Sequence, residues 1–239
     1  MTKLDDAIDR VSRNIAQTGA LTKEASRRYE QMFADFRVEL DRTLDASETL
    51  ADAAQATMAM LEQASNLLRD SFPNPQPRAC RDQCSACCHL FVSVPPGVTE
   101  LIASHIKATF TAAQTNALLD RLRVAANEIE QFTKTNEVRA RCPLLDEQDR
   151  CSIYDMRPLT CRAFTSADAG LCHAMVFGDS AQQTARIDQD PGHYRLHIEA
   201  TEALQNLATR RGLEGRQKGF VHALLDRLDN GLENGPASA

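Results

Sequence analysis

The residues able to do chemistry in this chain are its cysteines. There are eight in 239 residues, all between Cys80 and Cys172, and the flanking thirds have none. The first group reads Cys80-Arg81-Asp82-Gln83-Cys84-Ser85-Ala86-Cys87-Cys88-His89. A pair separated by two residues, as Cys84 and Cys87 are, lets two sulfurs turn back on one ion from a tight loop, the knuckle of zinc and iron–sulfur sites. Cys80 and Cys88 add two thiols. Neighbouring side chains usually diverge, so the adjacent Cys87 and Cys88 predict either two metal positions or a strongly bent loop. The second group is Cys142, Cys151, Cys161 and Cys172, spaced by nine, ten and eleven residues. Such wide steps suit separate loops converging on a site. Eight thiols fit two four-sulfur sites, or one site with spare redox thiols. All-sulfur ligation favours zinc or an iron–sulfur cluster over calcium or magnesium, and the thiol count with the adjacent pair tilts the reading towards a cluster.

Polar residues accompany the thiols. Arg157 and Arg162 flank Cys161. They either offset thiolate charge and bind an anionic cofactor, or fix the loop, Arg157 by pairing with Asp155 or Glu147. Asp82, Asp146, Glu147 and Asp149 read as solvated loop charges. His89 and His173 each follow a cysteine, which allows a Cys₃His site, although adjacency to a stronger ligand favours a packing role. His193 and His197 lie four apart on a predicted helix, a spacing able to grip a metal. The Glu of H-E-x-x-H is missing, and the pair continues an apolar stripe, so they read as helix histidines. No Ser/His/Asp arrangement, phosphate loop or dinucleotide fingerprint is present, and no catalytic residue is assigned.

The elements that position these groups are mostly helical. Leu4, Ile8, Val11 and Ile15 share one helical face. Gly19 is expected to end that helix and Thr22 to cap the next. A three-and-four alternation then runs through Phe33, Phe36, Leu40, Thr43, Ser47, Leu50, Ala54, Thr57, Leu61, Ala64 and Leu68, the coiled-coil pattern. Polar Thr43 and Ser47 interrupt it, and Asp45 with Glu48 offers a cap, so this stretch is one long helix or two shorter ones. It either packs on its own domain as a hairpin or serves as a dimerisation arm. Three alternate prolines from Pro73 to Pro77 exclude helix. Leu90 to Val94 predicts a short strand, Thr99 to Thr109 a helix, and Thr111 with Gln114 a capping box for a helix over 112–132. Residues 142–164 read as loop, with Pro158 starting a short helical turn around Cys161. Two stripes, Leu196-Ala200-Ala203-Leu207 and Phe220-Leu224-Leu225-Leu228, predict C-terminal helices.

Composition excludes several classes. The net charge of −6 lacks the basic footprint of a nucleic-acid binder. No run reaches the ~18 apolar residues of a membrane helix, and the charged start, Met1 to Asp6, predicts no secretory signal. The expected compartment is cytoplasmic and reducing, where clustered thiols read as metal ligands or redox groups rather than disulfides.

The motifs also match a family. The Cys80, Cys84, Cys87, Cys88 cluster, the Cys142-Pro143-Leu144-Leu145 string, and Cys151-Ser-Ile-Tyr-Asp-Met-Arg-Pro-Leu-Thr-Cys161-Arg162 resemble the YkgJ-like cysteine-cluster proteins. This is the CxxCxxCC family of zinc- or iron-chelating domains, and the resemblance covers residues 80–175. The family's first gap is usually two residues, whereas Cys80 and Cys84 are separated by three, which sets Cys80 apart. The resemblance implies metal binding. A related branch, the flagellin lysine methylases, carries a similar cluster, so a cluster-dependent protein-modifying enzyme is one alternative. No signature for a methyl donor is visible. A structural zinc module with a partner-binding arm is another.

The expected architecture is mainly α: a helical arm over 1–72, a proline linker over 73–79, and a loop-rich cysteine-cluster metal domain with short strands over 80–190. C-terminal helices over 191–232 pack on it, followed by a disordered tail over 233–239. The expected ligands are Cys80, Cys84, Cys87, Cys88, Cys142, Cys151, Cys161 and Cys172, with Arg157 and Arg162 towards the cofactor. The expected partner surface is residues 22–70, for self-association or another protein.

Overall fold

A computed structural model describes residues 3–72, 77–81, 83–179 and 181–233. Of the disordered tail expected over 233–239, Glu233 belongs to the last helix and the rest lies outside them, as does most of the proline linker. The described residues hold eight α-helices, four short 3-10 helices and one two-residue ladder, so the protein is mainly α. None of these helices is long and apolar enough to cross a membrane.

Helix α1 runs unbroken from Lys3 to Asp45. This corrects the expected stop at Gly19. A single glycine costs a helix interior only ~1 kcal/mol relative to alanine, and strong helix formers flank this one. Thr22 is not a cap either. Its hydroxyl donates back to the Thr18 carbonyl at 2.9 Å, as helix-interior threonines do. The second break does occur, but not at the expected cap. Helix α2 spans Leu50–Ser71, and Thr49 with Asp52 forms its capping box, in place of Asp45 with Glu48. Thr49 offers both a hydroxyl for the Asp52 amide and a backbone N–H for the Asp52 carboxylate.

The chain divides into two compact units, one ending at Glu39 and one beginning at Leu40. In the second unit α2 buries Ala54, Thr57, Leu61 and Leu68. It packs on α3 (Val98–Thr109) and α7 (Pro191–Arg210). The α2 face grouped with the arm by its heptads is therefore covered by the cysteine-bearing unit. Arg211 and Arg210 pin the turn between α1 and α2. Arg211 donates to the carbonyls of Leu44, Ser47 and Glu48, and Arg210 reaches Asp45 at 2.7 Å.

Helix α4 (Ala112–Ile129) starts at the expected Thr111–Gln114 capping box. With α3 it packs on α8 (Phe220–Glu233). The core comprises Ile102, Ile106, Leu118, Leu122, Leu204 and Leu207, all essentially inaccessible to solvent. The expected strand is shorter than Leu90 to Val94. Only β1 (Ser93–Val94) pairs, antiparallel to β2 (Lys218–Gly219). This ladder brings the start of α8 against the cysteine loops, where the Phe220 amide donates to the Val92 carbonyl at 2.8 Å. Two short helices complete the cysteine region, α5 (Leu159–Ala163) and α6 (Ala169–Phe177). Helix α6 has no signature in the apolar spacing. It is apolar all round, and Asp168 caps it by accepting from the Leu171 amide at 2.9 Å.

Candidate metal centre

The first cysteine group lies on a tightly turned loop. The Ala79 amide donates to the Ser166 carbonyl at 2.8 Å, anchoring the entry, and the Cys84 amide closes a turn on the Arg81 carbonyl. Gln83 sits in the left-handed region at φ 63°, which swings Cys84 round. Ala86–His89 then form one 3-10 turn. With three residues per turn, successive side chains there are rotated by about 120°. Even so, the Cys88 thiol lies near enough to Cys87 to be the first cause of its raised pKa. The bent loop brings both members of the adjacent pair to one cavity lining.

The second group arrives on four separate segments. The Cys142 amide donates to the Cys88 carbonyl at 2.9 Å, joining the two motifs directly. Leu145 and Cys151 form an antiparallel bridge closed by a turn over residues 146–150. That turn gives Asp146 a structural role while leaving it in contact with solvent. Its carboxylate accepts from the amides of Gln148 and Arg150 and pairs with the Arg150 guanidinium at 3.0 Å. Asp149 pairs with Arg141 at 2.9 Å. Pro158 sits at the N-cap of α5, which carries Cys161, and the Thr160 hydroxyl donates to the Ser93 carbonyl at 2.6 Å. Cys172 lies buried on α6.

Cys84, Cys87, Cys88, Cys142, Cys151 and Cys161 line one cavity of about 140 Å³. Apolar side chains complete its wall, among them Leu90, Phe91, Leu144, Phe164 and Phe220. Cys80 and Cys172 are not in that lining. They lie beside Ser166: the Cys80 Sγ is 4.0 Å from the Ser166 carbonyl oxygen, and the Ser166 side chain partly offsets the rise that burial gives the Cys172 thiol. All eight cysteines are free thiols.

Electrostatics ties the cavity thiols together. Burial pushes the Cys142 thiol up to about 11, with the neighbouring Cys151 and Cys87 adding to the rise. Burial likewise raises Cys161, helped by the negative charge of Cys142, Cys87 and Cys151. Cys87 is raised first by the adjacent Cys88 thiol and then by burial, and Cys151 by burial. Thiols packed this closely in an apolar wall cannot all ionise without a cation among them. A thiophilic cation reverses this, because a coordinating thiol is deprotonated outright. The donor set and its setting therefore fit zinc or an iron–sulfur cluster. Among the described residues no group of three or more His, Cys, Asp or Glu side chains is arranged so as to hold an ion.

The two arginines separate in role. Arg157 lines the cavity, and its charge favours the thiolates of Cys87, Cys151 and Cys161. Its guanidinium lies over the Tyr154 ring, 3.8 Å from the centroid. Arg162 points along the loop instead, donating to the carbonyls of Arg157 and Asp155. His89 and His173 both pack against the Phe177 ring, at 4.8 and 4.7 Å between centroids. His193 and His197 are buried on α7. His193 Nε2 meets the Arg162 carbonyl at 2.9 Å, and His197 Nδ1 meets the His193 carbonyl at 2.9 Å. The histidine pair thus holds the residue after Cys161. Sequence reasoning missed Phe91 and Phe220 as cavity walls, and Arg141 as the brace of the 146–150 turn. The clue for Phe220 was its place at the head of an apolar stripe, but nothing local tied it to the cysteines.

Comparison with known proteins bears on the class of metal. Residues 79–189, just under half the chain, match the CxxCxxCC family, whose description reads "Putative zinc- or iron-chelating domain". This is the family that the motifs resemble, and the match supports binding of zinc or iron. No curated protein and no solved structure gives a significant match.

Proposed function

We propose that this protein holds a metal centre through the thiolates of Cys84, Cys87, Cys88, Cys142, Cys151 and Cys161, and serves in electron transfer or metal handling. The observation that carries the reading is the convergence of six thiols from four chain segments on one apolar-walled cavity. Six donors exceed the four that a tetrahedral zinc site uses, and the cavity is many times the size of one ion. Both favour an iron–sulfur cluster over a single zinc. Arg157 supplies positive charge beside the thiolates, which an anionic centre needs. Cys80 and Cys172 stand outside the cavity and serve as auxiliary thiols.

The test is metal and sulfide content with an absorption spectrum, on protein purified without oxygen. Iron with matching inorganic sulfide and broad visible absorption is the expected result. Zinc in a colourless protein would move the assignment to a zinc-chelating module. Protein that takes up neither metal would overturn the reading.

A further inference from the structure

The first unit carries an apolar face that its own helix does not bury. Leu4, Ile8, Val11 and Ile15 are 67, 54, 58 and 67 % exposed. Their spacing of four, three and four does not stop there. It continues through exposed Thr18, Thr22 and Ala25 to the half-buried Tyr29, Met32 and Phe36, ten positions in one register. All ten lie in the single helix α1, uninterrupted at Gly19. A three-and-four alternation kept over more than four heptads of continuous helix is the coiled-coil period. We propose that α1 pairs with α1 of a second copy of this chain, in a two-stranded coiled coil over residues 4–36.

Several features select a second copy as the occupant. Residues 4–36 span about 50 Å of helix, and a seam about 10 Å wide gives roughly 500 Å² per copy. The pair then buries on the order of 1,000 Å², the lower bound for a specific interface. At the N-terminal end of this register β-branched Ile8 and Ile15 fall at a positions and Leu4 at a d position, which favours two strands there, while Val11, Thr18, Ala25 and Met32 hold the other d positions. The polar middle of the seam does not oppose pairing, because the Thr22 hydroxyl is already bonded to its own helix at Thr18. Nor does the flank, where Glu24 holds both Arg27 and Arg28 within the helix, at 3.1 and 2.8 Å.

The charges of residues 3–39 are seven basic and seven acidic. Two copies therefore do not repel. The helix also lacks the Lys/Arg-rich polar face that draws amphipathic helices onto anionic lipid. The heptad face of α2, in contrast, is already covered by α3 and α7. Self-association is thus placed on residues 4–36 rather than along α2.

Sedimentation equilibrium of the reduced full-length chain tests this. The expected mass is twice 26.4 kDa. Ile8→Asp combined with Ile15→Asp changes only exposed positions and is expected to return a single-chain mass, with metal content unaltered. A wild-type chain that stays single up to its solubility limit overturns the proposal, and so does a double variant that still doubles. Flotation with vesicles of phosphatidylserine and phosphatidylcholine covers the lipid case. Binding of single chains, abolished by the same two substitutions, would assign the stripe to a membrane surface and overturn the pairing. None of these readouts depends on which metal the cysteines hold.

Discussion

Acidification should loosen the α7 support of the cysteine loop, and His197 sets the size of the effect. This side chain is 4 % exposed. Burial holds its pKa down to about 4, with the charges of His193, Arg162 and Arg78 acting in the same direction against the stabilising bond to the His193 carbonyl. In the unfolded chain the ring titrates near its ordinary value, about 6.5. Below that pH the unfolded state takes up the proton first, so stability falls as pH drops from 6.5 and the loss is complete near pH 4. Each unit corresponds to about 1.4 kcal/mol, which gives about 2 kcal/mol lost by pH 5 and about 3 kcal/mol in all. Urea unfolding of wild type and His197→Gln, both metal-free, isolates the contribution. The glutamine keeps a neutral amide on α7 and removes the titration. The two stabilities should converge by about 2 kcal/mol between pH 7 and pH 5. Parallel curves would refute a neutral buried His197. If the reasoning holds, His193 moves in the same direction, since burial also lowers its pKa.

Three further outcomes are expected. Cys87→Ser and Cys161→Ser should each lower metal content and melting temperature, whereas Cys80→Ser does less, because Cys80 is exposed and outside the cavity; equal losses by metal analysis would defeat the ranking. In metal-free protein the raised Cys142 thiol favours folding below pH 9, and the unfolded chain ionises first above it. A contribution of up to about 3 kcal/mol is then lost as pH climbs towards 11, and Cys142→Ala should not show it in denaturant titrations. Gly97→Ala should cost about 3 kcal/mol or more, since φ is 87° there and the new methyl would strike the Leu50 carbonyl; a melting temperature within a degree of wild type would contradict the packing of α2 on the start of α3.

Much of this protein is legible without coordinates because the signals are local. A capping box needs only Thr111 and Gln114 three residues apart, and α4 begins there. The C-terminal helices follow from their stripes, since Leu196, Ala200, Ala203 and Leu207 are all buried on one face. The two cysteine motifs carry their chemistry in residue type and spacing, and so does the likeness to a chelating family. Where local signals are weak or compete, the sequence misleads. Gly19 offers a stop signal worth only ~1 kcal/mol, too little to end a helix. Helix α6 is apolar on every side, so periodicity cannot reveal it.

What the residues alone determined is that this chain is helical, that its thiols sit in one segment, and that their chemistry is that of zinc or iron. Tertiary structure decided which thiols share a cavity. Cys84, Cys87, Cys88, Cys142, Cys151 and Cys161 meet there while Cys80 and Cys172 lie beside Ser166. It also decided that Phe220, from the far end of the chain, walls that cavity. The reason is that convergence depends on long-range bonds, such as Cys142 to the Cys88 carbonyl and Phe220 to the Val92 carbonyl. Their partners lie tens of residues or more apart, and no spacing rule reaches that far.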